Sequence, residues 1–233
     1  MRLTVRRKKG MASMIPTNDV ERFAFVRESL YTPVIGDILD VLGRRHQFLD
    51  SRIRPILPSM VMVGRAMPVL IADTFGPQKQ PFGRLTEALD SLRAGEVYLA
   101  RSGRTECAAW GEILTATARG RGASGAVVDG FHRDTRRVLE QDWPVFSRGS
   151  FAQDAGVRAS VLDYRVSLEL DGVEVNPGDL IVGDVDGVVV VPRSVEDEVL
   201  ELAAEKVAGE SVTRQAIDSG MSSSAAWAKF GVL

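Results

Sequence analysis

The stretch from Glu96 to Arg137 constrains the fold of this chain more than any other. "EVYLAR" (96–101) and "GAVVD" (125–129) are short apolar runs of the kind that form fully buried strands. Between them, "GEILTATARGRG" (111–122) reads as a helix running into a glycine stop. Parallel pairing of the two strands requires a right-handed crossover. The first strand's carboxyl end, the helix's amino end and the second strand's carboxyl end then share one edge of the sheet. Ligands of open α/β sheets gather at such edges.

The remaining text fits the same class. Thr17 to Leu30 has a rough 3.6-residue apolar period, and Thr32-Pro33 opens a second helix that Gly43 stops. Ile53 to Leu57 and Met60 to Ile71 are predicted as extended, the latter with a bulge at Gly64. Further helices are predicted over Arg84–Leu92, Trp110–Arg119 and Arg133–Gln141, and "WPVFSRG" as a strand. From Arg158 to Val191 strands and tight turns dominate, and an amphipathic helix follows from Ser194 to about Ile217. Alternating helices and strands with no linker or repeat predict one mixed α/β domain.

Two acids and an arginine meet at the expected edge. A helix amino terminus carries free N–H groups and partial positive charge. Gly111, Glu112, Ile113 and Leu114 supply those amides, and Gly111 permits close approach. Twenty residues separate Glu112 from Arg133, a forked donor suited to a carboxylate, and Asp134 follows it. Glu112 and Asp134 add hard oxygen ligands suited to Mg²⁺ or Mn²⁺. An anion site beside a divalent cation fits a 2-oxo acid, held through carboxylate and keto oxygens. The plainer reading makes Arg133 and Asp134 a salt bridge capping a helix, with Asp134 in its first turn. His132 is expected as a solvent-facing turn residue, with shaping of specificity as the alternative.

Composition removes other classes. The formal net charge is −2, which leaves no whole-protein nucleic-acid footprint. No apolar run approaches the roughly 20 residues that span a bilayer. A single cysteine, Cys107, cannot form an internal disulfide, so a reducing, cytoplasmic setting is expected. Only His46 and His132 could activate it, and it is read as structural. Five cations in the first nine residues precede no apolar signal core. Residues 1–14 are therefore read as a disordered extension or an over-extended start, with a transit peptide as the alternative, leaving 15–233 as the domain.

"WGEILTATARGRGASGAVVDGFHRD" (110–134) resembles the core motif of the RraA-like family, which holds 4-hydroxy-4-methyl-2-oxoglutarate/4-carboxy-4-hydroxy-2-oxoadipate aldolases and RraA regulators of ribonuclease E. The likeness extends to "GDILDVLG", "RIRPILPSMVMVGRAMPV", "GDLIVGDVDGVVVVPR" and "KFGVL", roughly residues 30 to 233. It implies a three-layer β/β/α swivelling-type domain with a C-terminal helix, assembled as trimers or hexamers with the site near a subunit interface. It also implies a class II pyruvate aldolase using Mg²⁺ or Mn²⁺; decarboxylation of oxaloacetate follows the same electron flow and is expected as a side activity. By this resemblance Asp134 matches the metal ligand and Arg133 the pyruvate-binding arginine. Gly111 to Leu114 match the substrate-binding helix start, and Glu112 the acid that holds the water acting as base. Family aldolases often carry an acid three residues after the aspartate, where this chain has Arg137. An acid from a neighbouring subunit's carboxyl-terminal region also belongs to the family site. Glu196, Asp197, Glu198 and Glu201 are the candidates. The family also leaves open a non-catalytic regulator, and the motif a metal-dependent lyase on an unrelated acid.

Overall fold

A computed structural model describes residues 15–76 and 78–231. The expectation for residues 1–14 lies outside the described residues. Two helices come first, α1 (Asp19–Ser29) and α2 (Thr32–Val41). The middle of the chain runs β1 (Arg54–Pro55), β2 (Met62–Asp73), α3 (Leu85–Asp90), β3 (Glu96–Arg101), β4 (Ala108–Trp110), α4 (Glu112–Gly120), β5 (Gly125–Asp129), β6 (Phe131–His132), α5 (Thr135–Leu139) and β7 (Val145–Ser147). Strands β8 (Ala159–Tyr164), β9 (Leu168–Leu170), β10 (Val173–Val175), β11 (Leu180–Asp184) and β12 (Gly187–Val191) follow. Helices α6 (Glu196–Asp218) and α7 (Ser223–Phe230) close the chain.

The main sheet has the order β1-β7-β5-β3-β2-β11-β12, with β8 also paired to β2. Strands β2, β3, β5 and β7 are parallel, as the crossover argument requires. The remaining pairings are antiparallel.

Side-chain alternation sorts the core into layers, because successive residues of a strand face opposite sides. Met62, Ala66, Val97, Leu99, Val127, Ile181, Val188 and Val190 share one face, and the β9–β10 hairpin covers it with Leu168, Leu170, Val173 and Val175. The alternate residues face helices. Met67, Val69, Ile71, Tyr98, Ala100, Ala126 and Val128 pack towards the α3–α4 side. Val63, Leu180, Val182, Val189 and Val191 pack against α1, α2 and α6. This is the three-layer β/β/α arrangement with its C-terminal helix.

Helix ends follow local chemistry. The Asn18 side chain accepts the Glu21 N–H to cap α1. Pro33 sits in the first turn of α2, and Gly43, at φ +79°, ends it. The start of α2 is set from a distance: Asp184 on β11 accepts both the N–H and the hydroxyl of Thr32, at 2.8 and 2.7 Å.

Four local expectations are corrected. Gly64 makes no bulge; it pairs regularly with Ile181, and the irregularity of β2 falls between Leu70 and Ile71. Glycine is needed at 64 for space, since a Cβ there would stand 2.5 Å from the Gly95 carbonyl oxygen. Trp110 ends β4 instead of opening α4, because β4 pairs with β6. Helix α5 is short, and Asp134 stands before its first turn with a left-handed backbone, φ 56° and ψ 31°. A further helix, α7, was not foreseen; the Ser222 side chain caps it by accepting the Ala225 N–H.

Candidate active site

Strand β6 ends at His132, and the next two residues deliver the candidate chemistry. The Arg133 N–H donates to the Trp110 carbonyl at 2.9 Å, which fixes the arginine beside the start of α4. Trp110 is itself immobilised. It is 1% exposed, stacks on Trp143 at 6.0 Å between centroids, and donates its indole N–H to Thr115 Oγ1 at 2.8 Å. Thr115 in turn donates to the Gly111 carbonyl at 2.9 Å. The two ends of the site are therefore tied to one buried aromatic cluster.

Asp134 reaches across to the amino terminus of α4. Its Oδ2 accepts the Glu112 N–H at 3.3 Å, where the helix dipole favours a negative charge. Gly111 is the N-cap and offers no side-chain cap, so Asp134 fills that role from another segment. The amides of Ile113 and Leu114 have no partner among the described residues. Arg133 lies between two carboxylates, with Nε 3.8 Å from Asp134 Oδ2 and Nη2 3.4 Å from Asp154 Oδ1. Both distances leave room for the guanidinium to turn to a ligand.

These groups open on a cavity of about 400 Å³, within the usual range for small-molecule sites. Gly111, Ile113, Leu114, Arg133 and Asp134 all line it. The side chain of Glu112 does not; it is exposed, while its backbone carbonyl accepts from Gln141 Nε2 at 3.0 Å. Asp154 lines the cavity and was not foreseen. Its loop is laced to β4 by the Ala108 N–H to Gln153 carbonyl bond and a bridge from Ala108 to Asp154. Nothing in the spacing of "FAQDAG" signals that return.

A larger cavity, about 750 Å³, lies at the neighbouring strand ends. Size does not make it the better candidate. Its most buried charges already pair with each other, Arg148 with Asp129, and Arg148 also meets the exposed Asp171 at 3.0 Å. Burial raises the Asp129 carboxyl above its usual range, against the pull of Arg148. Cys107 also lines this cavity. It is 5% exposed, and burial raises its thiol pKa, which fits a structural residue.

Three other expectations meet the geometry. His132 is not solvent-facing: it is 4% exposed, with Nδ1 2.7 Å from Ser147 Oγ and Nε2 without a partner among the described residues. Pairing of β6 with β4 carries it inward, and burial lowers its pKa, favouring the neutral ring. Glu196 is 2% exposed and bound by Arg22 and Arg65 of its own chain, so it is spent within the fold. Arg137 turns to Glu140, at 2.9 Å, and does not line the cavity. Its pKa is raised chiefly by the hydrogen bond to Glu140 and also by the nearby Glu112 charge.

A divalent cation fits this donor set. Asp134 lines the cavity, and its Oδ1 has no hydrogen-bond partner among the described residues. No group of three or more His, Cys, Asp or Glu side chains is arranged to hold a metal among the described residues. A cation here would take Asp134 directly and fill its remaining positions with water and ligand oxygens, as Mg²⁺ commonly does.

Fold and site together give a β/β/α protein in which Arg133, Asp134 and the start of α4 line one cavity, with no helix long and apolar enough to cross a membrane among the described residues. The chain belongs to the RraA-like family, whose model, described as Aldolase/RraA, matches residues 32–190. A relative from Halalkalibacterium halodurans, named "Putative 4-hydroxy-4-methyl-2-oxoglutarate aldolase", is 32% identical over 190 residues, 82% of this chain and 86% of its own. The solved structure of Streptomyces coelicolor RraAS2, titled an unusual member of the RNase ES inhibitor RraA protein family, superposes with a TM-score of 0.75. It is 26% identical, and the match covers 84% of this chain and 97% of that one. An uncharacterized protein from Pseudomonas syringae pv. tomato gives a TM-score of 0.75 at 33% identity, covering 88% and 95%.

Proposed function

We propose that this chain is a divalent-metal-dependent class II pyruvate aldolase, cleaving a 4-hydroxy-2-oxo acid to pyruvate and a second carbonyl compound. The observation that carries the reading is the convergence of Arg133, Asp134 and the free amides of Ile113 and Leu114 on one cavity. The name of the H. halodurans relative supports it.

In this reading the substrate carboxylate takes Arg133 and the amides at the start of α4. Asp134 would hold Mg²⁺ or Mn²⁺, which would supply Lewis-acid polarisation of the keto group. A water removes the 4-hydroxyl proton; Glu112, the acid the family likeness assigns to that water, has its side chain outside the cavity lining and would have to turn inward to orient it. The C3–C4 bond breaks, C4 leaves as a carbonyl, and the electron pair passes to the pyruvate enolate. Arg133 and the helix amides stabilise that anion. A proton returned to C3 gives pyruvate. Oxaloacetate follows the same electron flow, losing carbon dioxide instead of a carbonyl compound. The chain acts as a trimer or hexamer with the site near a subunit interface.

A second reading, a protein-binding regulator, is favoured by the likeness to RraAS2. Pyruvate release from a panel of 4-hydroxy-2-oxo acids, with and without Mg²⁺ or Mn²⁺, separates the two. Metal-dependent turnover supports the aldolase, and its absence across the panel refutes it.

A further inference from the structure

Strand β4 is three residues long and fastens two charged residues of the cavity at a fixed spacing. At its end the Trp110 carbonyl accepts the Arg133 N–H at 2.9 Å. At its start the Ala108 N–H donates to the Gln153 carbonyl at 2.7 Å, and Ala108 bridges to Asp154. Arg158 Nη1 donates to the Asp154 backbone carbonyl at 3.0 Å and braces the loop from its other side. Asp154 Oδ1 then stands 3.4 Å from Arg133 Nη2. These ties all lie within one chain and stand whatever a neighbouring subunit contributes to the site.

The pair is poorly placed to stabilise the fold. Its side chains are 39% and 41% exposed, and ion pairs so open to water contribute little. Its geometry suits orientation instead. A guanidinium gives a carboxylate two parallel N–H bonds only when its plane faces that carboxylate. Rotation of a long side chain scatters the plane, and a contact that holds one nitrogen removes part of that freedom. Nη2 is the nitrogen beside Asp154, Nε is the one beside Asp134, and Nη1 has no partner among the described residues. In the aldolase reading Asp134 is given to the cation, and Asp154 is the carboxylate that stays with the arginine.

Within that reading, on which the nature of the ligand rests, we propose that Asp154 is a positioning residue. It holds the Arg133 guanidinium so that the fork faces the carboxylate of a 2-oxo acid. It acts through Arg133 and moves no proton.

The test is a double-mutant cycle over Asp154→Ala and Arg133→Lys in the full chain with Mn²⁺. It is read on the affinity for oxalate, a dianion that resembles the pyruvate enolate, by calorimetric titration. Pyruvate release from the 4-hydroxy-2-oxo acids is measured on the same proteins. Asp154→Ala should weaken oxalate binding about tenfold, inside the range of coupling between residues in contact. The thermal midpoint should hardly move. An ammonium has no plane to orient, so the same change should cost less than about twofold in the Arg133→Lys background. Asp154→Asn keeps an oxygen facing Nη2 and should recover most of the loss. Equal losses in both backgrounds overturn the proposal and leave Asp154 a support of its loop. Loss of pyruvate release in Asp154→Asn with oxalate binding intact also overturns it, because Asp154 would then be moving a proton. Oxalate coupling with no pyruvate release by the parent supports the positioning role and overturns the aldolase reading. Neither oxalate binding nor pyruvate release by the parent overturns both.

Discussion

Asp134 occupies the space a side chain on Gly111 would need: a Cβ at position 111 would stand 2.7 Å from Asp134 Oδ2. The Gly111 backbone is extended, at φ −169°, so any residue could adopt it and the requirement is one of room alone. Gly111→Ala should push the carboxylate off the Glu112 amide. A displacement near 1 Å in a positioned group costs on the order of 100-fold in rate. Pyruvate release should fall on that scale while the thermal midpoint moves by only a few degrees. Unchanged turnover would show that the contact between the two residues is irrelevant to the chemistry.

Asp134 holds a left-handed backbone, φ 56°, that Asn tolerates well. Asp134→Asn should therefore keep the fold and the α5 start while removing the charge a cation requires. Metal-dependent turnover should disappear, and calorimetric titration should show no Mn²⁺ binding at the site. Full activity in this variant would displace Asp134 as the ligand.

Arg133 sits between Asp134 and Asp154 as a planar fork. Arg133→Lys keeps the charge and loses the bidentate geometry. The expected cost is about 1–3 kcal/mol in kcat/KM, the worth of a charge-assisted hydrogen bond. Kinetics equal to the parent would reduce Arg133 to a structural partner of the two aspartates.

Glu196 joins Arg65 and Arg22 in a buried cluster with Asp19, where Arg65 is 8% exposed. Without Glu196, the counter-charges left among the described residues are Asp19 for Arg65 and Asp197 for Arg22, so the expected cost is part of the about 3–5 kcal/mol typical of losing a buried partner outright. Glu196→Ala should lower the denaturation midpoint accordingly. A stable variant with impaired catalysis alone would return Glu196 to the list of candidate site acids.

Asp50 supplies a pH test. Its carboxyl is held well below the usual range, chiefly by the Arg52 side chain, with the Arg52 backbone N–H at 2.8 Å adding to the effect. A carboxyl with a depressed folded pKa binds fewer protons in the native state than in the unfolded one. Its stabilisation is therefore complete above the unfolded value near 3.8 and is lost as pH falls through the folded one. Stability measured by urea unfolding should drop steeply below about pH 4 in the parent chain, and less steeply in Asp50→Asn. Parallel acid limbs would remove Asp50 from the cause.

Much of the scaffold was legible because its signals are local. The buried strand Glu96–Arg101 and the helix that follows show in their own residues, and right-handed crossover geometry then puts Gly111 and Arg133-Asp134 on one edge. The family text added the layer order, which periodicity does not carry. What the chain's own text could not show depends on partners far away in sequence. His132 looked exposed because its residue type is polar; only β4 and Ser147, beside it in space, make it buried. Glu196 looked free because its partners, Arg22 and Arg65, precede it by 174 and 131 residues. Asp154 left no mark because a loop returning to the sheet has no periodicity; two backbone contacts to Ala108 decide where it goes. The sequence by itself determined which segments become strands and helices and which edge they point to, since propensity and alternation act over a few residues. The tertiary structure decided which charges remain free for a ligand, since that depends on which opposite charges the fold brings within about 4 Å.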